Sequence, residues 1–217
     1  MTERGQNVRA RAAVRQLWRS RAARALGAAL ILAAGQGIGG DAMEPSIKVD
    51  DSTFKCIQEM THVRHFYVDN LAGKLAETVA VAEAGRGEYP EGTVLQLIPN
   101  EVMIKQQKGF SPVTKDWEFF YVDTSPEGSK IFKRGFAEVN NRLGLNCFTC
   151  HVKAKPEFDF VCEQDHGCDP IPVTRPMFTA LQKADPRCKN APALTAEDQE
   201  ALRQLGEIVK ALTSKTN

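Results

Sequence analysis

Thr93-Val94-Leu95-Gln96-Leu97-Ile98, Val102-Met103-Ile104, Trp117-Glu118-Phe119-Phe120-Tyr121-Val122 and Lys130-Ile131-Phe132 crowd into the stretch from Gly92 to Gly135. Branched and aromatic residues dominate these runs, and Pro99-Asn100, Lys108 to Pro112 and Pro126-Glu127-Gly128 separate them with turn chemistry. The spacers are too short for helical crossovers between parallel strands, so the economical arrangement is an antiparallel meander.

Helical patterns flank it. Asp51 to Met60 sets Phe54, Ile57 and Met60 three apart behind the N-cap types Asp50, Asp51 and Ser52, which predicts a short helix. Over Asp69 to Ala84, Leu71, Leu75, Val79 and Ala82 line one face and Gly85 supplies the stop. Thr195-Ala196-Glu197-Asp198 resembles a capping box, and Leu202, Leu205, Ile208, Val209 and Leu212 form the stripe of a last amphipathic helix. Residues 184 to 194, with Asp185-Pro186 and Ala191-Pro192, read as a loop. With no internal repeat, the expectation is one α+β domain, an antiparallel meander with flanking helices.

The 217 residues are 42% hydrophobic and 25% charged, with 16 Gly and 11 Pro, which excludes a collagen, a coiled-coil rod and a wholly disordered chain. A net charge of +1 hides an asymmetry. Residues 1–42 hold seven arginines and no lysine against Glu3 and Asp41, a balance of +5; residues 43–217 hold 21 basic and 25 acidic groups, a balance of −4. The larger part lacks the basic surface a nucleic acid would require. The arginines precede the apolar run Ala25 to Ala34 and the small residues Gly35 to Ala42, the pattern of an export signal cut near Ala42/Met43. Ten apolar residues are about half of the roughly 20 that span a bilayer, so a membrane anchor is the poorer reading. No two arginines adjoin, which argues against the twin-arginine route. A periplasmic location for residues 43–217 follows as an expectation.

Cys147-Phe148-Thr149-Cys150-His151 is a C-x-x-C-H, the attachment pentapeptide of c-type haem. At this composition chance would place it about 0.003 times in the chain. If the segment is helical, both thiols and the imidazole share one face, so each thiol can add to a haem vinyl group while His151 offers a nitrogen to iron. Two other readings use the same cysteines. A structural zinc site would draw on Cys147, Cys150 and two of Cys162, Cys168, His151 and His166, although Cys162 to Cys168 is wider than an ordinary knuckle. A thioredoxin-like dithiol would need a βαβ context, and none surrounds the motif. Cys56, Cys162, Cys168 and Cys188 remain, an even number that makes two disulfides in an oxidising compartment, with three connectivities open. One of them joins Cys162 to Cys168 around a small loop and Cys56 to Cys188 across the chain.

Gly92-Thr93-Val94, Asp116-Trp117-Glu118-Phe119-Phe120, Asn146-Cys147-Phe148-Thr149-Cys150-His151-Val152-Lys153-Ala154-Lys155 and Asp159-Phe160-Val161 together resemble the cytochrome P-460 family, which includes cytochrome c′-beta. The similarity runs from about Phe66 to Val161; Cys162 to Cys188 has no counterpart in it. The resemblance implies a single haem c held against an antiparallel sheet, often five-coordinate, with an open face for NO or other small nitrogen oxides. It further implies electron transfer with periplasmic redox partner proteins and the option of a homodimer. Hydroxylamine-oxidising members carry a lysine crosslink to the porphyrin; here Leu97 stands at the estimated position, so hydroxylamine or NO oxidation is the secondary expectation. Lys105, one strand later, is the other lysine near that position. Candidate distal ligands are Met103 first, then Met60, Met177, His62, His65 and His166, although methionines in apolar runs are usually core fillers. Phe119, Phe120, Tyr121 and Phe132 are expected to divide between core packing and a haem-covering face.

Overall fold

The computed structural model describes residues 44–214. The expected export signal and its cut lie outside them. The four runs of the meander are strands, extended by one hairpin on the N-terminal side: β1 (Thr61–Val63), β2 (Phe66–Asn70), β3 (Thr93–Ile98), β4 (Glu101–Lys105), β5 (Trp117–Ser125) and β6 (Gly128–Arg134). They form one six-stranded sheet in sequential order, every pair antiparallel. With helices α1 (Leu75–Ala84), α2 (Cys147–His151), α3 (Arg175–Lys183) and α4 (Ala196–Thr213), the fold is α+β.

Strand alternation divides the core. In β4, Val102 and Ile104 point to a cluster with Phe54, Val94, Phe120 and Val122. Met103 faces the opposite side, where Val68, Leu95, Trp117, Phe119, Val139 and Phe160 gather. A third cluster joins α3 and α4 through Met177, Ala180, Leu181, Ala201 and Leu205, and seats the pair on Ile98. Of the aromatic residues on β5, Phe119 and Phe120 are thus fully packed on opposite faces, whereas Phe132 on β6 is 61% exposed.

Three expectations change. Asp51 to Met60 is not one helix but two 3₁₀ turns, Asp51–Thr53 and Ile57–Glu59. Phe54 between them is extended, its ring 5.4 Å from Phe120, and Cys56 is bonded to Cys188; a continuous helix could not deliver both. The second expected helix starts only at Leu75, because Asp69 and Asn70 end β2. The Asn70 amide governs the turn: Oδ1 accepts from Ala72 N (2.8 Å) and Lys74 N (3.0 Å), while Nδ2 donates to Thr78 Oγ1 (3.0 Å) and Glu91 O (3.1 Å). Leu71 and Leu75 are consequently exposed, not core. Gly85 does cap α1 in the left-handed conformation, and Gly92 (φ 85°) lies so close to this turn that a Cβ would sit 2.6 Å from Ala72 N. Third, α3 lies in a stretch for which no element was expected. Thr174 at its cap, Pro176 in its first turn and Met177, Ala180 and Leu181 on one face are the sequence signals that mark it. The last helix matches its expected start, with Asp198 N donating to Thr195 Oγ1 (3.2 Å) and Thr195 N to Asp198 Oδ2 (2.9 Å).

Candidate cofactor-binding site

Asn146 builds the platform for α2. Its Oδ1 accepts from Thr149 N (3.1 Å) as an N-cap, and its Nδ2 reaches the carbonyls of Ala137 (3.0 Å) and Val139 (3.1 Å). Cys147 N donates to Val139 O (3.0 Å), so the helix is tied at both backbone and side chain to the segment that follows β6. That helix carries Cys147, Cys150 and His151. Cys147 and Cys150 are free and half-buried; the other four cysteines are bonded as Cys56–Cys188 and Cys162–Cys168. This pairing is the connectivity named above, and it takes Cys162 and Cys168 out of the thiolate form a zinc site would use.

His151 is held from behind. Its Nδ1 lies 2.7 Å from Phe160 O, and since a carbonyl only accepts, Nδ1 carries the proton. Nε2 is then the nitrogen with a free lone pair, the state in which imidazole binds a metal. Phe119 meets the ring edge-on at 5.3 Å. Burial lowers the His151 pKa below 6.5, against the opposing pull of the Phe160 carbonyl, and favours the neutral ring.

The carbonyl itself is fixed by a buried ion pair that sequence reading missed. Asp159 and Phe160 adopt positive φ (47° and 68°), an unusual pair of left-handed residues without glycine. Lys105 Nζ holds both Asp159 carboxylate oxygens (2.9 and 2.8 Å), Tyr89 N donates to Oδ2 (2.9 Å), and Trp117 Nε1 donates to Asp159 O (2.7 Å). Lys105 and Asp159 are each 4% exposed. Burial raises the Asp159 pKa even though the Lys105 ammonium pulls it down. Lys105 shares its strand parity with Met103, so its inward direction was legible; its partner 54 residues away was not. Engaged by Asp159, this lysine is not a free nucleophile for a porphyrin.

The remaining candidates disperse. Met103 is buried between Leu95 and Phe119 on the same sheet face as His151 and fills core there. Met60 packs against the opposite face and Met177 inside the helical cluster. His62 lies against Tyr67. His65 Nε2 faces Glu163 at 3.6 Å. His166 Nδ1 is 2.8 Å from Val161 O, its ring stacked on Phe158. Leu97 is half-buried between two clusters.

Exposed apolar residues lie near the motif along the chain. Seven large hydrophobic residues are exposed among those described, and four of them, Phe132, Phe136, Leu145 and Val152, fall within twenty residues of Cys147. Phe136 leans on Phe148 at 5.4 Å, and Phe148 stacks with Phe160 at 6.1 Å. A cleft of about 690 Å³ lies elsewhere; it is lined by charges of both signs, including Arg86, Lys108, Lys115, Glu157 and the Lys105–Asp159 pair, and by none of the motif's side chains.

Burial pushes the Cys147 thiol up to about 12, with Glu101 and Cys150 adding to the effect, and raises Cys150 through burial and Asp169. Only thiolate reacts with alkylating agents. With the Cys147 pKa moved from 9.0 to about 12, the native chain with both thiols free is expected at pH 8 to alkylate at Cys147 about a thousandfold more slowly than an ordinary thiol. Timed iodoacetamide labelling followed by peptide mass spectrometry measures this; equal rates in native and denatured chain would contradict it.

No protein family, curated protein or solved structure matches the chain. No helix among the described residues is long and apolar enough to cross a membrane.

Proposed function

We propose that this chain is an exported mono-haem c-type cytochrome of the P-460 and c′-beta kind, serving electron transfer or the binding of a small nitrogen oxide such as NO. One observation carries the reading: Cys147 and Cys150 are the free cysteines on a helix whose His151 has Nδ1 committed to Phe160 O, which leaves two thiols and one ligating nitrogen for a single group. The exposed Phe132, Phe136, Leu145 and Val152 suit the apolar porphyrin. Bound there, haem would supply an iron that changes oxidation state and takes small ligands.

The chain's own residues then have distinct tasks. Cys147 and Cys150 would tether the macrocycle, and Asn146 holds the helix that presents them. Phe160 O and Phe119 orient the His151 ring, and a hydrogen bond to Nδ1 strengthens the nitrogen opposite as a donor. Leu97 offers no nucleophile for a further porphyrin bond, so hydroxylamine oxidation is not part of the proposal. The two disulfides accord with a periplasmic location, where partner redox proteins would meet the haem edge near the motif.

The test is to export the full chain in cells that carry haem-attachment machinery and record a pyridine haemochrome. One covalent haem per chain is expected, reduced or lost in Cys147→Ala and Cys150→Ala, with an altered spectrum in His151→Ala. Colourless wild-type protein from cells that mature a control cytochrome would sink the reading.

A further inference from the structure

The Cys162–Cys168 bridge lies beside the motif for a reason visible in its backbone. Lys155 N donates to His166 O (2.8 Å), Lys155 Nζ to Asp165 O (3.1 Å), and His166 Nδ1 to Val161 O (2.8 Å), so the small loop is docked on the segment that follows α2. Lys153 pairs with Asp169 just beyond it. Docking brings the sulfurs of Cys150, Cys162 and Cys168 within 4.8 Å of one another, all three in half-buried residues. Two of these sulfurs form a disulfide and the third is a thiol. A nucleophile thus stands next to its natural electrophile.

We propose that the Cys162–Cys168 disulfide is an intramolecular exchange partner for Cys150 in the haem-free chain. The Cys150 sulfur, giving its proton to solvent, bonds to one bridge sulfur; the S–S bond breaks, and the displaced sulfur takes up a proton. One disulfide is consumed and one is made, so no outside oxidant or reductant enters. The hydrogen bonds that dock the loop involve no sulfur, so the exchange itself breaks none of them. In the mixed state Cys150 is masked, both from over-oxidation and from premature reaction. Thioether formation would withdraw Cys150 from the exchange and leave the Cys162–Cys168 bridge as the single product. That last consequence rests on the haem reading; the exchange does not.

The experiment uses the full chain made without haem attachment and carrying Cys147→Ser, so that one thiol is shared among three sulfurs. Chains are denatured, trapped quickly with N-ethylmaleimide in mild acid and mapped by peptide mass spectrometry. Label is expected on Cys150 in some chains and on Cys162 or Cys168 in others. The mixed bridge should make up about a tenth or more, since exchange between similar disulfides changes little free energy. Label on Cys150 alone overturns the proposal. So does label on Cys162 or Cys168 after Cys150→Ser is added, because that thiol would then come from a bridge that fails to form. A haemochrome result has no bearing on this map, and the map none on the haemochrome, so the two readings fail separately.

Discussion

Asp159→Ala is expected to cost about 3–5 kcal/mol of folding stability, the range for leaving one partner of a buried pair uncompensated. Lys105 would be left against Trp117, 5.1 Å from the ring centroid, with no carboxylate, in a place where it is 4% exposed. Tyr89 N would lose its acceptor, and alanine would have to hold the positive φ that Asp159 tolerates. Lys105→Met added to Asp159→Ala removes the stranded charge and should recover most of the loss, which a double-mutant cycle in urea reads as coupling between the two sites. A loss under about 1 kcal/mol, the worth of an exposed pair, would mean that the pair does not hold this segment. Because the Phe160 carbonyl follows Asp159 directly, the same variant should disturb the His151 ring, and in haem-loaded protein the iron spectrum should shift together with the stability.

Cys56→Ala with Cys188→Ala is expected to lower stability by about 5 kcal/mol, because the bridge closes a separation of 132 residues and loop entropy grows with the logarithm of length. The same relation gives about 2 kcal/mol for Cys162–Cys168, at a separation of 6. With an m-value near 2 kcal/mol/M, the first variant should lose about 2–3 M in urea midpoint and the second about 1 M. The long bridge also aligns a polar seam: Asp185 accepts from Ile57 N (2.9 Å) and holds Arg187, which reaches Pro99 O (3.2 Å) and Ser129 Oγ (2.9 Å). A larger midpoint loss from the short bridge than from the long one would refute this ranking.

Sequence alone determined the meander, the last helix and the short helix that carries Cys147, Cys150 and His151, and the reason is common to all three. Each is written in a local code: turn residues spaced between β-prone runs, a capping box ahead of an i, i+3, i+4 stripe, and thiols and imidazole at helical spacing, all satisfied by neighbours in the chain. Tertiary structure decided what depended on distant partners. The apolar spacing of Phe54 and Ile57 suited a helix until burial against Phe120 and the bond to Cys188 required an extended turn between them. Leu71 carried a helical pattern that the Asn70 hydrogen bonds overrode. Most of all, the orientation of His151 depends on Phe160, whose conformation depends on Asp159 meeting Lys105 across 54 residues. No local propensity encodes that pair; only the closing of the sheet's face buries the two charges together, where each offsets much of the hydration the other loses.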